Sequence, residues 1–332
     1  MTEVFDHTEI PRHGKPAVLP RLFGWISLTV LAALLLNNIL VVYLDWPGIK
    51  ALGTGGGTLP YVHLAIYAVA VAVGAAFVLM TQDRSLRWDA LQIHKFNTYL
   101  IRALFWTVFL VGVFDAAIAF MRTEDFIEPL LGQDLARNLA RANWVGPWVH
   151  GPLVIVAFVI ALFTRTLGFV WLALLIVAAE LLIVISRFVF SYEQALMGDL
   201  VRYWYAALFL FASAYTLFDE GHVRVDVLYA GFGRTKRGFI NAIGTILLGM
   251  STTWVILFIG LNGPQSIINA PLANYEVSQA GPYGMYVKYQ MAAFIGLFAI
   301  TMLIEFVSYF FDAVADKRDE PGHREPAQAA AH

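Results

Sequence analysis

Eight long apolar runs, separated by polar segments, organise this amino-acid sequence. At a rise of about 1.5 Å per residue, each run is long enough to cross the hydrocarbon core of a bilayer as an α-helix. A helix satisfies its backbone hydrogen bonds internally, as the apolar medium requires. The pattern therefore predicts an all-α integral membrane protein with eight transmembrane helices. The approximate limits of the runs are 22–44, 61–81, 98–121, 147–164, 168–190, 200–218, 238–261 and 287–311.

The composition agrees with a membrane environment. Hydrophobic residues make up 59% of the 332 residues and charged residues 14%, against about 25% charged residues in soluble domains. A formal net charge of −2 gives no general basic surface for nucleic acid. The absence of cysteine excludes disulfides, thiolate metal sites and cysteine nucleophiles.

No motif in the sequence favours an enzyme. The glycine-rich segment 53–57 lies between two predicted spans, without the strand and helix that a nucleotide-binding loop needs. The sequence has no nucleophile elbow and no HExxH motif. The first apolar run is too long for the core of a cleavable signal peptide, so it is predicted to be the first span. We expect no catalytic residues, no metal and no cofactor.

Lysine and arginine predict the orientation of the spans. With the N-terminus in the cytoplasm, fifteen of these residues fall on the inner side and seven on the outer side. Positive residues concentrate on the cytoplasmic side of membrane proteins. Both termini are therefore predicted to be cytoplasmic.

Two short matches between the halves of the chain suggest a repeat. Residues 86–91 and 223–228, both predicted as inner loops, share the pattern Arg-x-Asp-x-Leu at a separation of 137 residues. Gly146-Pro147 and Gly281-Pro282 precede the last span of each half. The matches favour two parallel four-helix units, although both patterns are also common at inner loops and helix starts. The predicted division is a cytoplasmic tail at 1–21, four-helix units at 22–164 and 168–312, and a disordered polar cytoplasmic tail at 313–332.

The segment between the sixth and seventh runs carries the pattern His-x-Arg-x-Asp-x-Leu, at His222, Arg224, Asp226 and Leu228. It resembles the signature of the small membrane subunit of tripartite ATP-independent periplasmic (TRAP) transporters. In that family the signature links the second and third of four transmembrane helices.

Further elements extend the resemblance over about residues 168–312. Arg187–Phe190, Arg202-Tyr203 and Gly281–Gly284 are similar to family elements at corresponding places. One departure is that the family commonly has Trp and paired acids before the arginine, whereas only Asp199 stands there. The additional N-terminal spans resemble the longer small subunits of some systems.

The resemblance implies a component of an ion-gradient-driven importer of organic acid anions in the bacterial inner membrane. In this family a periplasmic binding protein delivers the substrate, and a large permease subunit carries the substrate and sodium sites. The small subunit would be a scaffold for that large partner.

The polar residues of the signature alternate with valines, so in an extended segment the two sets face opposite sides. His222, Arg224 and Asp226 are then candidates for contacts with a partner subunit or with lipid headgroups. Two alternatives stay open: the segment extends a helix, or Arg224 and Asp226 only pair to close the loop. A basic cluster that follows is interpreted as a topology determinant and a contact for anionic lipids. Its members are Arg234, Lys236 and Arg237.

Three acidic residues lie inside predicted spans, where a charged side chain costs roughly 2.5–3.5 kcal/mol at mid-bilayer. Asp115 lies towards the outer end of its span, Glu305 towards the inner end, and only Glu180 near the middle. One central carboxylate is insufficient for a proton relay, so we expect a neutral Glu180 that joins helices by hydrogen bonding. No predicted span has a centre broken by Gly or Pro, which favours a scaffold over a conducting subunit.

A haem- or quinone-associated membrane anchor of a redox complex is the alternative. Its axial histidines would face each other inside a helix bundle. His63 and His150 lie near the outer ends of the second and fourth spans, but neither has a second histidine further along its helix. His94 and His222 are predicted in loops.

Overall fold

A computed structural model describes residues 10–54, 57–166, 168–218 and 229–323. Within those ranges the chain has no strands, and eight helices are long and apolar enough to cross a membrane. The predicted all-α membrane architecture is confirmed. The helices are α1 Val18–Tyr43, α2 Leu59–Met80, α3 Leu86–Thr123, α4 Ala142–Phe163, α5 Phe169–Phe190, α6 Ala195–Phe218, α7 Arg234–Gly260 and α8 Lys288–Lys317.

Short helical segments lie in the connections, and π-helical turns occur in two long helices. The π turns are Gly146–His150 in α4 and Thr245–Met250 near the middle of α7. The apolar pattern predicted neither irregularity, although both helices stay continuous. Gly281–Tyr283, predicted to be equivalent to the Gly146 region, instead forms a 3-10 turn ahead of α8. The remaining short segments are Ile49–Ala51, Ile127–Leu131, Gln133–Leu139, Tyr229–Gly231 and Asn269–Ala273.

Helix α3 begins well before its apolar run. Residues 86–91, predicted as an inner loop, form its first turns, so that prediction is wrong. The Trp88 N–H donates to Ser85 Oγ at 3.2 Å, the bond of an N-cap. Arg87 and Asp89 in this extension are buried and paired within the protein. Apolar periodicity does not detect a helix whose polar residues are neutralised by other elements.

The C-terminal end of α8 also extends beyond its apolar run. The helix continues to Lys317, and Arg318 Nε donates to Glu320 Oε1 at 2.6 Å. The prediction of disorder is therefore wrong for residues 313–323. Acidic residues in this stretch pair with arginines of other helices, which favours an ordered segment.

The segment ahead of α1 is packed as well. α1 begins at Val18, inside the predicted tail, and His13 Nδ1 lies 2.6 Å from Asp83 Oδ2. This hydrogen bond is the main reason why the pKa of the exposed Asp83 carboxyl is lowered. The N-terminal segment is thus fixed to the connection between α2 and α3.

Contacts divide the chain into two compact units, each made of separate stretches. The first unit comprises Met1–Asn97, Ala214–Pro264 and Ala299–His332, and the second comprises Thr98–Ser213 and Gln265–Phe298. These units do not follow the two predicted four-helix copies, whose boundary stays a prediction.

Aromatic side chains contribute much of the core of the second unit. Trp204 and Phe294 are buried there, and Trp204 Nε1–H donates to Val108 O at 3.0 Å, which satisfies its polar atom.

Gly168 precedes α5 with a φ of +75°, and a Cβ at this position would lie 2.3 Å from the Phe105 ring. The tight connection between α4 and α5 therefore depends on glycine.

Candidate functional site

The signature residues His222, Arg224 and Asp226 lie outside the described residues. Their predicted role in partner or lipid contacts stays a prediction. The matching pair of the first half, Arg87 and Asp89, is described, and both side chains are buried.

The basic cluster after the signature has mixed surroundings. Arg234 Nε lies 3.3 Å from Asp316 Oδ1. The Arg237 guanidinium lies 5.4 Å from the ring centroid of Tyr229, and Lys236 is exposed. Arg234 is thus held by a carboxylate of the chain itself, and Lys236 is the member best placed for lipid headgroups.

Arg87 joins the start of α3 to an acidic cluster in the first unit. Its side chain is 4% exposed, and Nη2 donates to Asp316 Oδ1 at 2.6 Å. Nε donates to Pro321 O at 2.8 Å, and Nη1 lies 3.5 Å from Asp312 Oδ1. These carboxylates and the carbonyl offset the cost of burying the guanidinium.

Asp89 is fully buried and joins α3 to α1. Its Oδ2 accepts from Arg21 Nε and from Trp25 Nε1, both at 2.8 Å. Arg84 Nη1 lies 3.7 Å from Asp89 Oδ1, and Arg21 Nη2 donates to Thr81 Oγ1 at 2.8 Å. The arginine and aspartate of the first motif copy therefore hold helices together.

Glu305 lies in a buried polar cluster of the first unit. Its Oε1 lies 3.0 Å from His94 Nδ1, and its Oε2 accepts from Asn97 Nδ2 at 2.9 Å. Asn97 Nδ2 also donates to Thr301 O at 3.0 Å, and the His94 ring stacks on Phe218. His94 lies within α3, which begins at Leu86. Its predicted loop position is therefore wrong.

Asp115 and His150 form the centre of a buried polar network in the second unit. His150 Nε2 lies 3.1 Å from Asp115 Oδ1, and His150 Nδ1 lies 2.8 Å from Tyr289 Oη. Gln290 Nε2 lies 3.0 Å from the same Nδ1, and Gln290 Oε1 accepts from Tyr203 Oη at 2.5 Å. All five side chains are buried.

One protonation pattern of His150 satisfies this network. With the proton on Nε2, that group donates to Asp115, while Nδ1 accepts from Tyr289 or Gln290. Both ring nitrogens are then engaged, and neither offers a lone pair to an iron atom. The surroundings of His150 therefore do not fit the haem alternative.

His63, in the first unit, has Nδ1 2.6 Å from Asn37 Oδ1.

Two carboxylates fix the segment that precedes α8. Asp115 Oδ2 accepts from the backbone N–H of Tyr286 at 2.7 Å, and Asp199 Oδ2 accepts from that of Met285 at 3.0 Å. Burial raises the pKa of the Tyr286 phenol, although the positive charge of Arg122 opposes the rise. Asp199, the one acidic residue that precedes Arg202 where the family commonly has a pair, thus has a defined structural contact.

A cavity of about 500 Å³ lies beside Asp199 in the second unit. Lys288 Nζ lies 2.5 Å from Glu276 Oε1, and Arg202 Nη1 lies 3.7 Å from Asp199 Oδ1. The charges at the cavity are therefore already paired. Its other lining residues are Ala195, Ser278, Gln279, Ala280, Met285, Val287 and Met291.

Glu180 differs from the other two intramembrane acids. It is exposed on α5 and makes no hydrogen bond or ion pair with the part of the chain that the structure describes. The predicted hydrogen bond of Glu180 to another helix thus has no partner among the described residues, and it stays a prediction.

The amino-acid sequence alone does not identify the partners of the buried carboxylates. A local signal existed for His94 and Asn97, because a spacing of three places both on one helix face. This spacing alone does not predict a helix here, because the apolar run of α3 begins only at about residue 98, after both residues. No local signal links His150 to Tyr289, since 139 residues separate the two.

The family model described as "Tripartite ATP-independent periplasmic transporters, DctQ component" matches residues 173–311. The match runs from α5 into α8 and covers less than half of the chain. No curated protein and no solved structure matches the chain significantly. The DctQ family is an inner-membrane transporter family rather than an enzyme family, and the eight apolar helices fit a multi-pass protein of that membrane. The resemblance is therefore confirmed for residues 173–311, which match the model of the DctQ component, the small permease component of TRAP transporters.

Proposed function

We propose that this chain is the scaffold subunit of an ion-gradient-driven importer of organic acid anions. The observation that carries the proposal is the match to the DctQ component at 173–311. Its partners are a large permease subunit, which holds the substrate and ion sites, and a periplasmic substrate-binding protein. Residues 168–312 perform the family role, and 22–164 are an additional four-helix unit.

The buried polar groups of the spans support a scaffold. A conducting subunit places ionisable groups along a water-filled path near the midplane. Asp115 and Glu305 are instead at most 1% exposed, and each accepts hydrogen bonds from its own unit. Carboxylates that are already engaged in this way offer no ligands to a passing ion.

Reconstitution in liposomes tests this assignment. The purified chain alone should take up no organic acid anion under an inward sodium gradient, because the proposal assigns the substrate and ion sites to the large permease subunit. The same vesicles with the large permease subunit and the binding protein should accumulate the anion. Saturable uptake by the chain alone would contradict the scaffold function.

Within this function, we assign Arg224 and Asp226 to the contact with the large subunit, with His222 beside them. Removing one partner of a desolvated charge contact costs about 2–5 kcal/mol, whereas a water-exposed pair contributes less than about 1 kcal/mol. Arg224→Ala with Asp226→Ala should therefore strongly reduce co-purification of the large subunit.

Lys236→Ala is the matched control, because it removes an exposed cation that follows the same loop. The pair Arg87 and Asp89 cannot serve as a control, since both are buried in ion pairs that support the fold. Undiminished recovery with the double variant would contradict the assignment and leave the loop as a topology determinant.

A further inference from the structure

The depth of Glu180 makes its exposure costly. Helix α5 runs from Phe169 to Phe190, so Glu180 lies about 15 Å or more from either end at about 1.5 Å per residue. A glutamate side chain is too short to bring its carboxyl group to water over that distance. In hydrocarbon such a group needs a partner that donates a hydrogen bond.

The exposed surface of α5 places Glu180 outside the packing of its own unit. Only 6% of the apolar window of this helix is buried, against 50% for α3. Leu172 and Ile176 form the face that packs into the core of the second unit. Glu180 lies beside that face, on surface that the described residues leave uncovered.

A regular seam runs along α5 through this carboxylate. Its members follow one another at spacings of four, three, four and three residues, the repeat with which a second helix packs at a small crossing angle. Small and β-branched side chains flank Glu180 on the seam and permit close approach of another backbone. The seam consists of Ala173, Val177, Glu180, Val184 and Arg187.

We propose that this seam is the docking face for a transmembrane helix of the large permease subunit, which donates a side-chain hydrogen bond to Glu180 at mid-membrane. The inference rests on the proposed scaffold function. The seam begins where the DctQ match begins, at Ala173. A periplasmic binding protein does not reach this depth, and a second copy of α5 would oppose Glu180 with another carboxylate. The large subunit is the partner that offers both a membrane helix and a different side chain.

The absence of cysteine makes a site-directed cross-linking test clean. Val177→Cys and Val184→Cys, labelled with a benzophenone maleimide in membranes of the assembled transporter, should each form an adduct with the large subunit on irradiation. Leu182→Cys is the control: it is 62% exposed and lies about 160° round the helix from Glu180, so it should not form that adduct. An adduct with a second copy of the chain, equal adducts from all three positions, or no protein adduct would overturn the proposal.

A second variant measures the hydrogen bond itself. Glu180→Leu makes the span more apolar, so membrane insertion is preserved. It should lower recovery of the large subunit by about threefold to twentyfold, the range expected for one interhelical hydrogen bond in a membrane. Leu182→Ala, at nearly the same depth, should change recovery less than twofold, and equal recovery for both variants would overturn the proposal.

If the unmodified chain itself fails to co-purify with the large subunit, the scaffold function fails. If it co-purifies but α5 does not cross-link to the large subunit, only the docking face is wrong.

Discussion

Asp115, Asp89 and Glu305 show what a buried carboxylate needs in a membrane helix. An unpaired charge removed from water costs several kcal/mol, and each of these groups meets donors from other helices or from the backbone. Asp115 is the most consequential of the three, since it binds both the His150 ring and the Tyr286 backbone. Its side chain therefore links the polar network to the start of α8.

Asp115→Ala should destabilise the protein markedly. The substitution leaves the His150 Nε2–H and the Tyr286 N–H buried without an acceptor, at a cost of about 1–3 kcal/mol each. Asp115→Asn should be milder, because its amide oxygen still accepts one of these bonds. Thermal unfolding in detergent, followed by size-exclusion chromatography, measures the melting temperatures. The melting temperature of Asp115→Ala should be the lowest and that of Asp115→Asn should lie between it and that of the unmodified protein.

Asp134→Ala is the control for this series, since Asp134 is 96% exposed in the side chain. Its effect should stay within about 0.5 kcal/mol. A melting temperature for Asp115→Ala equal to that of Asp134→Ala would show that the network does not stabilise the fold.

At the scale of the helices, polar pairing and glycine set the limits that the apolar runs leave open. α3 extends back to Leu86 because Arg87 and Asp89 find partners in the first unit. The connection from α4 to α5 is short because Gly168 adopts a left-handed conformation against Phe105.

Gly168→Ala should therefore lower the stability of the second unit. A left-handed conformation costs an L-residue about 1–2 kcal/mol, and the new methyl group would also displace the Phe105 ring. Gly233→Ala is the matched control, because its φ is −67° and a Cβ there meets nothing within 4 Å. The two melting temperatures should differ by several degrees; identical values would contradict the stated role of Gly168.

At the scale of the whole molecule, the distribution of positive charge predicts how the chain crosses the membrane. Fifteen lysine and arginine residues fall on the predicted inner side and seven on the outer side. Some of these cations also pair with carboxylates of the chain, as Arg234 does with Asp316. The orientation stays a prediction from the sequence.

A fluorescent reporter that matures only in the cytoplasm tests this orientation. Fused to His332, it should fluoresce, because an even number of spans returns the chain to the side of its N-terminus. The same reporter inserted after Gly56, in the predicted first outer segment, should stay dark. A dark fusion at His332 with normal expression would reverse the topology.

The sequence by itself determined the membrane solvent, the eight spans and the DctQ resemblance. These depend on local apolar length and on a short motif, both of which can be read along the chain. Only the tertiary structure decided that α3 starts at Leu86, that His150 meets Tyr289, and that Asp199 binds the backbone of Met285. Each of these features joins side chains distant in sequence, and burying a polar group becomes favourable only once its partner is in place. Glu180 is the complementary case: its residue type is visible in the sequence, but its exposure follows only from which face of α5 the second unit covers.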